Sequence, residues 1–139
     1  MAAQKISEFY TNYLAAYNAQ QTSPDAKARF YTEDAILYTP ESTINGRDAI
    51  MEFFKEGHKM VKEELRPRAV LEDDSHIFCE LDAAFVALED TPPNFVFKDG
   101  LAKGESVSHR SCASYTLRGG KIATITLFVW QNGTPIEPF

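Results

Sequence analysis

The chain has 139 residues, a length typical of one domain, and we expect residues 1–139 to fold as a single unit. It carries 20 acidic and 14 basic side chains, a formal charge of −6, so neither nucleic acid nor an anionic membrane surface is expected as a partner. Aromatic residues make up 12% of the chain, which favours a wide core or an aromatic-lined cavity.

The first sixty residues have the period of α-helices. In residues 7–21 the apolar side chains recur at spacings of three and four, which places Tyr13 and Tyr17 on the buried side of a first helix. The sequence Ser23-Pro24-Asp25 is a start signal for a second, short helix that runs to about residue 31. A strand over residues 35–39 follows, and a third helix is predicted from residue 47 to about residue 62.

The period changes to two after residue 64, which predicts strands. They cover residues 65–71, 77–88, 107–117 and 122–131, with a tight hairpin turn at Gly119-Gly120. Helices followed by a meander of strands indicate an α+β fold. We expect three N-terminal helices packed in a strongly curved antiparallel sheet, a cone-shaped roll with an internal pocket at its open end.

Alternation along the strands assigns their faces. On the strand over residues 107–117, His109, Ser111 and Tyr115 point toward the helices. The opposite face of the sheet still carries large apolar side chains, namely Phe78, Ile122, Phe128 and Trp130. Exposed apolar patches of this kind mark interfaces, so we expect a homodimer formed through the outer sheet face.

The connection over residues 91–104 is too long for a simple hairpin turn. It carries Phe95, Phe97 and Leu101, and loops of this length in compact domains are often functional lids. We expect it near a sheet edge or at the mouth of the pocket.

Four segments resemble a known superfamily in the order in which they occur. They are Tyr-Leu-Ala-Ala-Tyr-Asn-Ala at residues 13–19, the stretch over residues 30–40, Asn-Gly-Arg-Asp-Ala-Ile-Met-Glu-Phe-Phe at 45–54, and the last strand over 120–128. Together they resemble the nuclear-transport-factor-2-like superfamily, within it the polyketide cyclase (SnoaL-like) and ketosteroid isomerase group. The resemblance implies a cystatin-like roll with a pocket, which hosts both enzymes and non-catalytic carriers.

The resemblance transfers only some of the functional residues of that group. Tyr13 matches the tyrosine that donates a hydrogen bond to an oxyanion in ketosteroid isomerases. Thr39 and Ala113 stand where those isomerases carry a general base and an assisting acid, so that machinery is incomplete here. His109 falls close to a strand histidine that acts as acid or base in scytalone dehydratase and the polyketide cyclases, while the carboxylate that accompanies it there has no match.

His109 is the strongest chemical candidate, because imidazole exchanges protons near neutral pH. The alternative is a core histidine satisfied by a neighbouring carbonyl or hydroxyl group. We expect His109 and Tyr13 to be catalytic and to face one cavity whose wall binds the substrate. The wall residues are expected to be Tyr17, Tyr38, Thr39, Ser111 and Tyr115.

Other polar residues receive structural interpretations. Asp34 is expected to cap a turn, and His58 to lie at the surface near a helix end. Glu80, Asp82 and Arg110 are expected to form charge pairs on the outer face. Cys79 and Cys112 are predicted to be reduced thiols of a cytoplasmic protein, and neither a metal site nor a cofactor is expected.

Two functions fit these observations. The first is a cofactor-free isomerase, dehydratase or cyclase that acts by acid–base chemistry on a hydrophobic carbonyl compound. The second is a non-catalytic module of the same fold that binds a ligand or forms a dimer. The sequence does not name the substrate.

Overall fold

The structure, a computed structural model, describes residues 5–95, 97–128, 134–137 and 139. Within these residues two α-helices, Glu8–Asn18 (α1) and Arg47–Gly57 (α2), pack on the concave face of one curved, unclosed sheet. The strands are Tyr31–Tyr38 (β1), Thr43–Asn45 (β2), Val61–Glu72 (β3), His76–Ala87 (β4), Ser106–Arg118 (β5), Lys121–Leu127 (β6) and Thr134–Pro135 (β7).

The predicted α+β class and curved sheet are confirmed, but the helix layer is smaller than expected. The second helix is a short 3-10 helix, Ala26–Phe30, because only a few residues separate its start from β1. The third ends at Gly57 and not near residue 62, since the chain enters β3 at Val61. In the described part of the chain, no helix has the length and apolar character needed to cross a membrane.

The sheet is mixed and not antiparallel throughout. The strand order is β2-β1-β6-β5-β4-β3, with β7 added against β5, and β1 pairs with β6 in parallel. A parallel pair needs a long crossover, which α2 and the three long strands β3 to β5 provide here. The other strand pairings between described residues are antiparallel.

Helix α1 is held at its start and along one face. The side chain of Ser7 accepts a hydrogen bond from the backbone N–H of Tyr10, which satisfies one of the unpaired amides at the helix start. The hydroxyl of Ser7 also donates to Glu72 Oε1 at 2.5 Å, which ties the helix start to the end of β3. The buried stripe consists of Tyr10, Tyr13, Leu14 and Tyr17.

A β-bulge overturns part of the predicted outer face. Thr116 pairs with Thr124 but Leu117 pairs with Ile122, so Ala123 is an extra residue in β6. The alternation of faces is interrupted there, and Ile122, expected outside, is fully buried.

An exposed apolar patch nevertheless remains on the outer face. Phe78 and Phe128 are 47% and 48% exposed, and their rings lie 6.1 Å apart. Leu71, paired with Phe78 across the strands, is also exposed. Trp130, predicted to belong to the same patch, lies outside the described residues.

The polar residues of the outer face form ion pairs. Arg110 donates to Asp82 at 2.8 Å and Arg68 donates to Glu80 at 2.7 Å, which confirms the predicted charge pairing. Asp34 does not cap a turn: it lies within β1 and pairs with Arg118 across the sheet edge. The predicted reduced state agrees with the structure, in which both cysteines are free thiols.

The connection between β4 and β5 folds back on itself. Thr91 and Leu101 form a bridge, in which the N–H of Leu101 donates to Thr91 Oγ1 at 2.6 Å. Gly100, next to this bridge, has φ +72°, and a Cβ atom there would overlap the carbonyl oxygen of Thr91. Gly104 also has positive φ, +84°, but open space surrounds the position of its absent Cβ.

These two glycines form a matched pair for testing the loop closure. Gly104→Ala should lower the free energy of unfolding by about 1–2 kcal/mol, the usual strain of a left-handed backbone. Gly100→Ala should cost at least about 1 kcal/mol more, because the overlap with Thr91 adds to the same strain. Urea unfolding of both variants measures the difference. Equal losses of unfolding free energy would show that the bridge between Thr91 and Leu101 does not constrain the loop.

Candidate functional site

Two adjoining cavities lie between the helices and the concave face of the sheet. The inner cavity has a volume of about 70 Å³ and the outer one about 370 Å³. The outer volume is typical of small-molecule sites. The two cavities share a wall made of Tyr17, Phe54, Glu63, Phe85, His109 and Leu127.

The structure brings most of the predicted site residues together. The inner cavity is lined by both predicted catalytic residues and by three of the predicted wall residues, namely His109, Tyr13, Tyr17, Ser111 and Tyr115. Thr39 lines the outer cavity, where its hydroxyl and that of Ser42 are 2.9 Å apart. Tyr38 is set apart from them, because it is 40% exposed and lines neither cavity.

His109 is a buried imidazole with an unused nitrogen. It is 6% exposed and stacks on Phe85 with ring centroids 5.3 Å apart, and it makes a T-shaped contact with Phe97 with centroids 6.0 Å apart. Its Nε2 is buried without a hydrogen-bond partner among the described residues. Burial lowers the pKa of His109 below its usual 6.5, partly offset by the negative charge of Glu63, so the ring is neutral at neutral pH.

Two tyrosines of the inner cavity wall, Tyr13 and Tyr115, each form a hydrogen bond with a tyrosine behind the wall. The hydroxyls of Tyr13 and Tyr31 lie 2.5 Å apart, and the hydroxyl of Tyr10 donates to that of Tyr115 at 3.1 Å. Burial raises the pKa of all four phenols, so they remain neutral donors and acceptors. Tyr31 was not anticipated from the sequence, because it was placed at a helix end and not at the start of β1.

Three polar side chains converge at the shared wall. Glu63 Oε1 accepts from the hydroxyl of Tyr17 at 2.5 Å and lies 2.9 Å from His58 Nε2. His58 Nδ1 lies 2.6 Å from the carbonyl oxygen of Phe54, at the end of α2. The side chains of His58 and Glu63 are each only 12% exposed, so the prediction that His58 lies at the surface is wrong.

The partners of His58 restrict where its protons lie. A carbonyl oxygen only accepts, so Nδ1 carries a proton and donates it to Phe54. Nε2 faces a carboxylate oxygen, and this contact needs a proton between the two atoms. His58 and Glu63 together therefore hold one proton more than a neutral imidazole beside an ionised carboxylate.

Residues 10–125 of the chain match the family model of the SnoaL-like domain. The chain belongs to the SnoaL-like domain family. No curated protein has a sequence that matches it. The family assignment confirms the predicted resemblance.

Solved structures share this fold at low sequence identity. A provisionally assigned polyketide cyclase from Xanthomonas campestris is 22% identical, with a TM-score of 0.74 over 88% of this chain and 87% of the other. A second provisional polyketide cyclase, from Pseudomonas putida, is 20% identical, with a TM-score of 0.74 over 94% and 95%. A protein of ketosteroid-isomerase-like fold from Catenulispora acidiphila, solved with trimethylamine, is 15% identical, with a TM-score of 0.71 over 94% and 96%. These structures show the NTF2-like fold of the chain.

The SnoaL-like domain also contains a buried lysine behind the cavity wall. Lys27 is 1% exposed, and its Nζ donates to Gln20 Oε1 at 3.1 Å. The ammonium lies 5.5 Å from the ring centre of Tyr17 and 5.1 Å from that of Phe54, both of which line the cavities. Burial lowers the pKa of Lys27 to about 8, while the charges of Asp25 and Glu63 oppose this shift.

The connection between β4 and β5, expected near a sheet edge or at the pocket mouth, contributes side chains to the wall of the outer cavity. Asn94, Phe95 and Phe97 line the outer cavity, and Phe97 packs edge-on against Phe85 with centroids 5.1 Å apart. Asn94 has φ +64°, which turns the chain back toward the sheet. The ring of Phe97 also packs against the ring of His109.

Glu63 and His58 were missed because the third helix was extended too far. Gly57 is a common helix-ending residue, and Val61, Glu63 and Leu65 alternate as in a strand. Ending the helix at Gly57 would have placed Glu63 on the inner face, opposite Phe85 of β4. Among the described residues no cluster of three or more His, Cys, Asp or Glu side chains could hold a metal ion.

Lys27 gives the SnoaL-like domain a testable pH dependence. Its pKa is about 8 when folded and 10.5 in the unfolded reference, so between these values the folded state binds fewer protons. Stability linked to Lys27 therefore rises with pH in this window, by up to about 1.4 kcal/mol per pH unit. Between pH 7 and pH 9.5 the free energy of unfolding of the wild type should rise by about 1–2 kcal/mol relative to that of Lys27→Met.

Urea unfolding at several pH values measures this gain. Lys121→Met, which removes an exposed lysine, is the control, and its free energy of unfolding should change with pH as that of the wild type does. If the free energy of unfolding of Lys27→Met also changed with pH as that of the wild type does, Lys27 would titrate in the folded protein as it does in water.

Proposed function

We propose that this SnoaL-like domain is a cofactor-independent enzyme that moves protons on a small, largely apolar carbonyl compound. The reaction would be an isomerisation, a dehydration or an aldol-type cyclisation, with His109 as acid or base. The observation that carries this proposal is the buried, unpaired Nε2 of His109 on the shared wall of both cavities.

An unpaired nitrogen of this kind is costly in a structural role. A buried polar atom without a partner costs about 1–3 kcal/mol, so a histidine that only filled the core would be expected to hydrogen-bond or to be replaced. A bound ligand with an oxygen or an acidic proton would satisfy Nε2. The neutral ring is able to accept a proton at neutral pH, as a general base requires.

Tyr13 supplies the proposed hydrogen bond to the developing oxyanion. Its hydroxyl forms a hydrogen bond with the hydroxyl of Tyr31, and either oxygen can be the donor. When Tyr31 donates, the proton of Tyr13 is free for a ligand in the inner cavity, which Tyr13 lines. A neutral, buried phenol is a suitable donor to an oxyanion.

The walls favour an apolar ring compound. The outer cavity is lined by several aromatic side chains, namely Tyr17, Phe53, Phe54, Phe85, Phe95 and Phe97. The provisional names of two structural neighbours, both polyketide cyclases, support carbonyl chemistry for this chain as well.

Exchange of carbon-bound protons tests the reaction class without knowledge of the substrate. We expect the protein to accelerate the exchange of the α-protons of 2-tetralone in D₂O, followed by NMR. His109→Gln should lower the rate by about 10²–10⁴-fold, the usual contribution of a general acid or base. The wild-type rate should fall in acid, at a pH below 6.5, because only the neutral ring of His109 accepts a proton.

His76→Gln is the matched control, since His76 is an exposed histidine distant from the cavities. Equal exchange rates for His109→Gln and the wild type would remove His109 from the mechanism.

The second candidate is a non-catalytic ligand carrier. It is favoured by Thr39 and Ala113, which provide no carboxyl group where related isomerases have one, and by the engagement of the Tyr13 hydroxyl with Tyr31. A protein that binds 2-tetralone in a His109-dependent manner but leaves its α-protons unexchanged would be a carrier.

We also propose that two copies associate through the outer sheet face. A chain with charge −6 repels its copies unless the contact surface is neutral. The patch of Leu71, Phe78 and Phe128 is apolar, and the nearby charges are already paired within the chain, Arg68 with Glu80 and Arg110 with Asp82. A second copy of this surface would cover the exposed rings.

Sedimentation velocity tests this association. The wild type should sediment as a dimer at micromolar concentration, and Phe78→Asp should produce monomers, because it places a charge in the centre of the contact. Phe53→Asp, at a similarly exposed phenylalanine on the cavity side, should remain dimeric. A wild-type monomer at all concentrations would contradict the proposal.

A further inference from the structure

Glu63 has one carboxylate oxygen fully engaged and one free. Oε1 receives the hydroxyl of Tyr17 and the ring of His58, at 2.5 and 2.9 Å. Among the described residues, Oε2 has no hydrogen-bond partner. Since Glu63 lines both cavities, the geometry leaves Oε2 as the acceptor that a bound molecule can reach.

The surroundings hold this carboxylate in one orientation. Tyr17 comes from the last turns of α1, and His58 is fixed at the end of α2 by its bond to the carbonyl of Phe54. A carboxylate held by two donors from different elements cannot rotate without losing both bonds. Tyr17 and His58 are therefore positioning residues for Glu63.

Two basic side chains lie close to Glu63. His58 faces it directly, and Lys27 lies behind the rings of Tyr17 and Phe54. The other titratable groups of the outer cavity are Glu41, Glu56 and His109, and Glu56 is already paired with Lys59 at 2.6 Å. With the shared proton on the imidazole, His58 and Glu63 form an ion pair.

Glu63 and His109 lie on the same concave face of the sheet, and both line the two cavities. In the sheet, Glu63 lies in the row of Phe85 on β4, while His109 lies in the next inner row, opposite Ala83. The two residues are two strand spacings apart and offset by two residues along the strands. Ordinary sheet spacings then place their Cα atoms about 12 Å apart. Both side chains line the outer cavity of about 370 Å³, so a ligand bound there can contact the carboxylate and the imidazole.

We propose that Glu63 Oε2 is a second proton-accepting group of the cavity, beside His109, and that the site takes aromatic or enolisable ring compounds with a weakly acidic O–H or C–H group and rejects carboxylates. This inference rests on the proposed function, to which it adds a substrate class and a second acid–base residue. In the reaction the proton leaves the ligand oxygen or carbon for Oε2, and the bonding pair stays on the ligand as an enolate. The proton later returns to a different ligand atom, so that no other reactant is consumed.

Three naphthalenes of similar size test the ligand class. 2-Naphthol carries a weakly acidic hydroxyl, 2-methoxynaphthalene lacks this donor, and 2-naphthoate carries a negative charge. We expect titration calorimetry to show that 2-naphthol binds at least about tenfold tighter than 2-methoxynaphthalene, as a hydrogen bond to a charged acceptor implies. 2-Naphthoate should bind weakest, because Glu63 repels it.

Glu63→Gln should remove this selectivity. The amide keeps the shape of the side chain but is a weaker acceptor, so the affinity for 2-naphthol should fall about tenfold while that for 2-methoxynaphthalene stays unchanged. Glu89→Gln, at an exposed carboxylate outside both cavities, is the control. Unchanged selectivity in Glu63→Gln, tightest binding of 2-naphthoate, or no binding of any of the three would overturn the proposal.

The wild type provides a readout that needs no variant. Nitrogen-15 NMR of the histidine rings at pH 7 should show both nitrogens of His58 protonated, while His109 is neutral. A singly protonated His58 would place the shared proton on Glu63 and overturn the ionised pair.

The outcomes separate this inference from the proposed function. Naphthol selectivity that depends on Glu63, without α-proton exchange of 2-tetralone, would uphold the acceptor site and refute the enzyme. Exchange that depends on His109, without any effect of Glu63→Gln on ligand selectivity, would uphold the enzyme and refute the role of Glu63.

Discussion

The structure depends on the hydrogen bonds of three tyrosines on one face of α1. Tyr10 donates to Tyr115 on β5, Tyr13 pairs with Tyr31 on β1, and Tyr17 donates to Glu63 on β3. Each hydroxyl is buried, and leaving one unpaired would cost about 1–3 kcal/mol. Because the partners belong to three different strands, these bonds fix the position of the helix on the curved sheet as well as its depth.

The same row of tyrosines divides the interior into a neutral and a charged part. Tyr10 and Tyr13 bond to other phenols, and the inner cavity beside Tyr13 has the character of an aromatic core. Tyr17, one turn further along the helix, bonds to a carboxylate, and a buried lysine lies over the outer side of its ring. A ligand that extends through both cavities would therefore meet the proton-exchanging groups, Glu63 and His109, at the wall that the two cavities share.

The mouth of the outer cavity is assembled from segments far apart in the sequence. The parallel pairing of β1 with β6 brings Thr39 and Ser42, after β1, beside the end of β6 at Leu127. The connection between β4 and β5 closes the other side with Phe95 and Phe97. Access to the site is thus governed by two loops that flank one rigid sheet, an arrangement in which loop changes alter the ligand without disturbing the core.

The sequence by itself determined the fold class, the first helix and the long strands, and on α1 and β5 the direction in which side chains point. The spacing of three and four in α1 placed Tyr13 and Tyr17 inward, and alternation along β5 placed His109 and Ser111 on the concave face. It did not reveal the ion pair of Glu63, the pairing of Tyr13 with Tyr31, or the bulge that buries Ile122. A local period specifies which face a side chain occupies, because it follows from backbone geometry within a few residues. Which partner it meets there depends on strand order and register between distant segments, and only the tertiary structure decides these.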